Sequence, residues 1–200
     1  MGMPAPSDQE IRALHMKYAP SQEAFDLVYT HSRIVRGIAE QLLRKGGHDA
    51  DPDLVRAGSM LHDIGVYPLY TPSGGFDHSG YLRHGVLGHG ILADEGFPEE
   101  ICRFCSRHTG VGLSAADVRA QGLPIPAADY IAESAEEELV MYADKFHSKT
   151  DPPVFVSAGT YSESVRRFGE DKKERFELLR KRFGDPDPTP FMAEYGHALV

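Results

Sequence analysis

Five stretches of the chain carry side chains able to bind metals or move protons: His31, the adjacent pair His62-Asp63 in "MLHDIG", His84, His108 and Asp144. Each stands where a helical pattern calls for a core residue. His31 lies three positions after Val28 and four before Val35, and His62 lies next to Leu61 and four from Gly58. His84 adjoins Gly85, four before Gly88, and His108 continues the face of Ile101, Phe104 and Cys105. Asp144 comes four after Val140 and three after Met141. A lone histidine on such a face is more often a satisfied core residue than a ligand. Burying all these ionisable groups separately is costly, however, because a buried charge must be paired or bound to metal. One metal site accommodates them together, since neutral imidazole and carboxylate are ligands that Fe, Mn, Zn and Co accept. Four imidazoles and two carboxylates exceed the need of one catalytic ion and suit two ions sharing a bridging carboxylate. Neighbours on a helix point about 100° apart. At a helix end His62 and Asp63 therefore splay around a metal pair, and Asp63, with two oxygens, is the residue able to touch both ions.

The elements that must position these groups read as helices almost throughout. Phe25, Val28, Val35, Ile38 and Leu42 recur at helical spacing between Ser21 and Lys45, and Gly46-Gly47 ends that helix. Asp51-Pro52, a cap followed by proline at the first helical position, opens the next, with Gly65 as its stop. Residues 66–80, "VYPLYTPSGGFDHSG", are loop-like. Further helices are expected over about 81–95, ended by Gly96, over 98–107, and as a short turn at 114–121. Ser134 with Glu137 forms a capping box, and its helix should run to about Lys149. Residues 160–183 are amphipathic, with Phe168, Phe176, Leu179 and Phe183 apolar, and "DPDPTP" reads as an extended or disordered tail. No useful strand alternation or repeat is present, so the class is all-α. The expected division is an N-terminal segment 1–20, a catalytic domain 21–150, and a C-terminal helical extension and tail 151–200.

The ordered set His … His-Asp … His … His … Asp, with "LHDIG", "HGVLGHGILADEGFPEEI", "RHTG" and "MYADKF", resembles the HD superfamily of metal-dependent phosphohydrolases in its HDIG-type form. It is similar to the small bacterial members that hydrolyse diadenosine tetraphosphate. The resemblance covers about residues 24–150 and implies a single HD-domain helical bundle. It implies one ion held by His31, His62, Asp63 and Asp144, and a second by Asp63, His84 and His108. It also implies one or two divalent or transition-metal ions (Fe, Mn, Zn or Co, iron slightly ahead) and a small phosphorylated substrate, in the first instance a nucleotide. Metal-bound water would be the nucleophile, with Asp63 the catalytic bridge that orients it. Arg83, Arg107 and Lys145, each beside a ligand, and Thr109 are the candidate phosphate contacts. The chain departs from the pattern at Val66, where many such segments carry Lys or Arg, and at His89, where small residues are usual. The alternative is a di-iron HD-fold oxygenase on the same ligands, with Tyr67, Tyr70 and Tyr81 around the loop. A metal-stabilised binding domain is a third reading.

The remaining features bound the function from outside. A net charge of −9 argues against nucleic-acid polymers and anionic membranes, whose binding is driven by Lys and Arg. No apolar run spans a membrane and no secretory signal is visible, so cytoplasm is the expected location; a homo-oligomer remains open. Two cysteines, Cys102 and Cys105, lack the second ligand pair of a zinc site and read as structural thiols. Glu136-Glu137-Glu138 reads as a solvated first turn. His15, His48 and His197 read as solvated, His147 as support for Asp144 or exposed, and His78 as able to reach the site from its loop.

Overall fold

In the computed structural model, which describes residues 5–46, 49–71 and 73–200, side-chain caps open the helices that carry the site. Ser21 Oγ accepts from the Ala24 N–H at the start of α2 (Gln22–Lys45). Asp51 does the same for α3 (Pro52–Leu61), where proline at the first position loses no hydrogen bond. Before them lies α1 (Asp8–Tyr18), begun by a complete capping box between Ser7 and Glu10. After them come α4 (His84–Asp94), α5 (Glu99–Ser106), α6 (Ala115–Ala120) and α7 (Ala135–Asp144). The C-terminal region holds α8 (Ala158–Val165), α9 (Glu170–Phe183) and α10 (Thr189–Tyr195). Among the described residues the fold is all-α apart from three two-residue strands, β1 (His147–Ser148), β2 (Val154–Phe155) and β3 (Ala198–Leu199). They form one small sheet in that order, β1–β2 antiparallel and β2–β3 parallel.

The core is the apolar face of α2 (Val28, Ile34, Val35, Ile38, Leu42) against α3 and α7, continued by Leu92 and Ile101. Glycine sets the closest approach. A Cβ on Gly65 would lie 1.9 Å from the His84 carbonyl oxygen and 2.3 Å from the Gly88 nitrogen. The segment after His62-Asp63 therefore rests directly on the backbone of α4.

Several expectations are corrected. Gly65 does not stop a helix: α3 ends at Leu61, and Gly65 lies inside a 3-10 helix, Ile64–Leu69. The first part of the 66–80 loop is thus helical, and the remainder closes through a Tyr70–Phe76 bridge. α7 ends at Asp144, because the chain turns there into β1. Ser134 caps α7, but Glu137 accepts from Glu133 N–H and Arg103 instead of completing the box. Nor is the acidic run solvated, since Glu137 is buried and Glu138 is held by Arg175 and Arg182. The 160–183 region breaks at a 3-10 turn, Arg166–Phe168, and Phe168 is exposed. The tail folds back: Gln41 exchanges both its amide hydrogen bonds with the Asp187 backbone, and the Phe191 ring sits against Gly37. His15 is buried, with its ring nitrogens 2.7 Å from Tyr67 Oη and from the Met60 carbonyl oxygen. Gly47 and His48 lie outside the described residues.

Candidate metal centre

His31 comes from the middle of α2, His62 and Asp63 from the end of α3, His84 from the start of α4, His108 from just beyond α5, and Asp144 from the end of α7. All six converge. One atom each of His31, His62, Asp63 and Asp144 lies within 4.8 Å of the others, and Asp63, His84 and His108 make a second such group. Asp63 belongs to both. Its Oδ2 is 3.1 Å from His31 Nε2, while its Oδ1 is 3.5 Å from Nε2 of both His84 and His108.

Three of the rings are locked by carbonyls three or four residues earlier in the chain. His62 Nδ1 is 2.8 Å from the Ser59 carbonyl oxygen, His84 Nδ1 2.6 Å from that of Tyr81, and His108 Nδ1 3.0 Å from that of Phe104. A carbonyl only accepts, so each Nδ1 carries a proton, and in its neutral form each ring turns a lone pair on Nε2 inward, the usual support of a metal-ligating histidine; on His62 a metal ion would have to displace the Nε2 proton that Asp63 and Asp144 favour. His31 is locked from far along the chain. Its Nδ1 is 2.9 Å from His147 Nδ1, and His147 Nε2 is 2.9 Å from His197 Nδ1 on the returning tail. His197, expected to be solvated, is therefore part of the support, and His147 is buried behind His31 rather than exposed.

The donor set fits cations. Asp63 is buried, and its Oδ1 has no hydrogen-bond partner among the described residues, although two imidazole nitrogens face it. Lone pairs facing an unpartnered carboxylate oxygen are stable with a cation between them. Burial disfavours protonation of His62, but Asp63 and Asp144 outweigh it and raise its pKa to about 9. Burial also works against ionised Asp63, and Lys149 and His62 hold it well below the ordinary carboxylate range. His84 goes the other way: burial, then His108, lowers it to about 3.

Lys149 is the group the sequence reading missed. Its ammonium bonds Asp63 Oδ2, and burial of the lysine is outweighed by the Asp63 charge, which raises its pKa. A helix continued to residue 149 would have carried Lys149 along α7; the turn into β1 brings it back over Asp63 instead. Lys145 lines the cleft but is engaged, donating to Asp144 Oδ2 at 2.7 Å and to the His108 carbonyl at 2.8 Å. Thr109 lines it too, with Tyr81, Tyr161 and Ser164, around a cavity of about 300 Å³. Arg83 is exposed, and Arg107 is held by the Ile131 carbonyl and Glu133; neither lines this cavity. His89 faces away, on Ser106 and Glu99. Cys102 and Cys105 are buried, bonding the carbonyls of Phe97 and Leu61. No helix among the described residues is long and apolar enough to cross a membrane.

The HD domain family profile matches residues 28–149. A tRNA (cytidine(56)-2'-O)-methyltransferase of Thermoplasma volcanium is 32% identical over 177 residues, 88% of this chain and 46% of that protein. The protein of the same name in Picrophilus torridus is 33% identical over 128 residues, 64% of this chain and 33% of that protein. The chain thus spans less than half the length of either relative. Among solved structures, the HD domain of the L. monocytogenes phosphodiesterase PgpH superposes with a TM-score of 0.56 at 18% identity, covering 94% of this chain and 100% of that domain. The same domain in complex with cyclic-di-AMP gives 0.54 at 19% identity, covering 93% and 97%. These are likenesses of fold.

Proposed function

The chain belongs to the HD-domain family, and on that premise we propose that it is a metal-dependent phosphohydrolase acting on a small phosphoester. The observation that carries the reading is the buried Asp63 carboxylate shared by two ligand groups, its unpartnered Oδ1 facing the imidazoles of His84 and His108 and its Oδ2 that of His31. His31, His62, Asp63 and Asp144 would hold one ion, and Asp63, His84 and His108 a second; Fe, Mn, Zn and Co all suit such ligands. Bound there, the ions supply a hydroxide from water and a positive clamp for phosphoryl oxygens.

The chain's own residues do the rest. Lys145 fixes Asp144 and the His108 carbonyl together, holding ligands of both groups in register. Lys149 is the cation that faces an incoming phosphoryl group, while Val66 is buried and apolar. Thr109 and Ser164 offer hydroxyls on the cleft wall. Lys149, an ammonium beside the shared carboxylate, supports an anionic substrate. The cyclic-di-AMP bound by the PgpH domain supports a small phosphorylated nucleotide as the substrate. The methyl transfer named for the two longer relatives is not carried over, since nothing in this metal-ligand cluster calls for it.

The test is metal analysis of the purified protein followed by anaerobic assay of nucleotides and phosphodiesters. Phosphoester cleavage that is lost in Asp63→Asn is expected. Iron-dependent oxygen consumption with no cleavage of any phosphoester refutes the proposal.

A further inference from the structure

Beside the metal cleft lies a second, larger cavity of about 650 Å³. The two share one wall, made by Tyr81, Ser148 and Lys149. Lys149, whose ammonium reaches Asp63 on the metal side, thus also borders the second cavity.

The second cavity has a different chemistry. It holds no metal-ligand group among the described residues. Its floor is apolar, from Leu27 and Val66, and aromatic rings crowd its outer side. Phe76 lies 4.9 Å from Tyr70 at 68° and 4.9 Å from His78 at 71°, with Tyr81 6.2 Å away. This cluster is built rather than incidental. The Tyr70–Phe76 bridge holds the two backbones side by side, and Asp77 N–H donates to the Leu69 carbonyl at 2.9 Å. Yet Tyr70 and Phe76 remain half-buried, and Tyr81 is 37% exposed. Aromatic groups held with their surface open beside an ammonium make a stacking platform: flat rings stack on them whatever their detailed sequence of donors. A cavity of this size is ordinary for a small-molecule site.

We infer that this groove is the specificity site for the organic part of the substrate, and that it takes a flat ring, as in a nucleoside or aryl phosphoester, while the phosphoryl group lies across Lys149 in the metal cleft. The inference rests on the phosphohydrolase reading for its orientation and adds where the ring goes and what selects it. The polar rim of Thr150 and Asp151 gives the groove hydrogen-bonding partners for ring edges. An aliphatic phosphoester fills the metal cleft and leaves the groove unused.

Binding and turnover test it separately. By calorimetry on the metal-free protein, adenosine 5'-monophosphate should bind at least roughly ten-fold tighter than ribose 5-phosphate, the scale of one base–aromatic stack. Phe76→Ala should remove most of that preference, and Phe76→Leu should restore only part. Tyr70→Ala is the second variant, with thermal melting as the check on folding. In turnover, the ratio of kcat/KM for p-nitrophenyl phosphate over glycerol 2-phosphate should fall about ten-fold in either alanine variant. Equal affinity for the two ligands, or a preference that neither variant moves, overturns the groove assignment while leaving the hydrolase reading intact. Should no phosphoester be cleaved while nucleotide binding still depends on Phe76, the groove stands and the hydrolase reading falls.

Discussion

The support of His31 by His147 can be cut without touching a ligand, and the result should be specific to one ion. With a cation on Nε2, His31 keeps its proton on Nδ1 and donates it to His147 Nδ1, 2.9 Å away. That forces the His147 proton onto Nε2, which donates to His197 Nδ1 at 2.9 Å. His147→Leu removes the acceptor and leaves the His31 N–H, in a residue 1% exposed, without a partner. An unsatisfied buried donor costs about 1–3 kcal/mol, and loss of such outer support typically weakens metal binding about 10–100-fold; the two figures agree. The loss should fall on the ion held with His31. His84 and His108 take their locks from the Tyr81 and Phe104 carbonyls, so the other ion should bind as before. Titration of the metal-free protein with Zn²⁺ or Mn²⁺ by competition calorimetry resolves the two steps. His147→Gln, which keeps an acceptor, should recover most of the affinity. Equal weakening of both steps, or no weakening at all, refutes the reasoning.

Three further outcomes follow from the packing and charges. Gly65→Ala should cost about 3 kcal/mol or more in denaturant unfolding, because its Cβ would meet backbone atoms of α4. Gly90→Ala, in the same helix with open space around it, should gain up to about 1 kcal/mol; a similar change at both sites contradicts the packing described. His15, lowered from 6.5 to about 4 by burial, stays neutral in the fold, while the unfolded chain takes a proton near pH 6.5. The stability it contributes is therefore present above that pH and lost as the pH falls toward 4, by about 3 kcal/mol in full. Comparing stability against pH with His15→Gln isolates this slope, and parallel curves exclude it. Arg103→Met should destabilise by about 3 kcal/mol, since it leaves the buried Glu137 carboxylate with only the Glu133 N–H; a change below about 1 kcal/mol in a thermal melt contradicts that pairing.

Much of the centre was legible because each candidate ligand interrupts an apolar helical face, a pattern that is costly without a reason. His31, His62-Asp63, His84, His108 and Asp144 do come together. What was hidden lay in long-range contacts. Lys149 reaches Asp63 only because α7 ends five residues earlier, and no local signal marks that stop. His15 shares the face of Ile11 and Leu14, a pattern visible in principle but too short to stand out in a segment with few other apolar residues. The "DPDPTP" stretch, expected to be extended or disordered, is irregular only over 185–188, because Thr189-Pro190 open α10, where proline's fixed φ suits a first helical turn, and its backbone is bonded by Gln41 and Lys45 from the other end of the chain. His197 joins the support of His31 through β3 and its neighbours, a partnership that no spacing rule connects.

The convergence of the ligands has a topological consequence. His31 and Asp144 are separated by 113 residues of chain but by 3.0 Å in space, and the candidate ligands hang on five separate stretches, His62 and Asp63 sharing one. An ion shared among them would close several loops at once, like a clasp through which α2, α3, α4 and α7 all pass. Loop-closure entropy rises only slowly with length, so the clasp would act less on how the chain folds than on how it opens. None of those helices would be able to peel away alone without surrendering a ligand, whereas α6 and the α8–α9 pair carry no ligand and would stay free to breathe. Hydrogen exchange in the metal-loaded protein should therefore merge the ligand-bearing helices into one opening event and leave the others distinct.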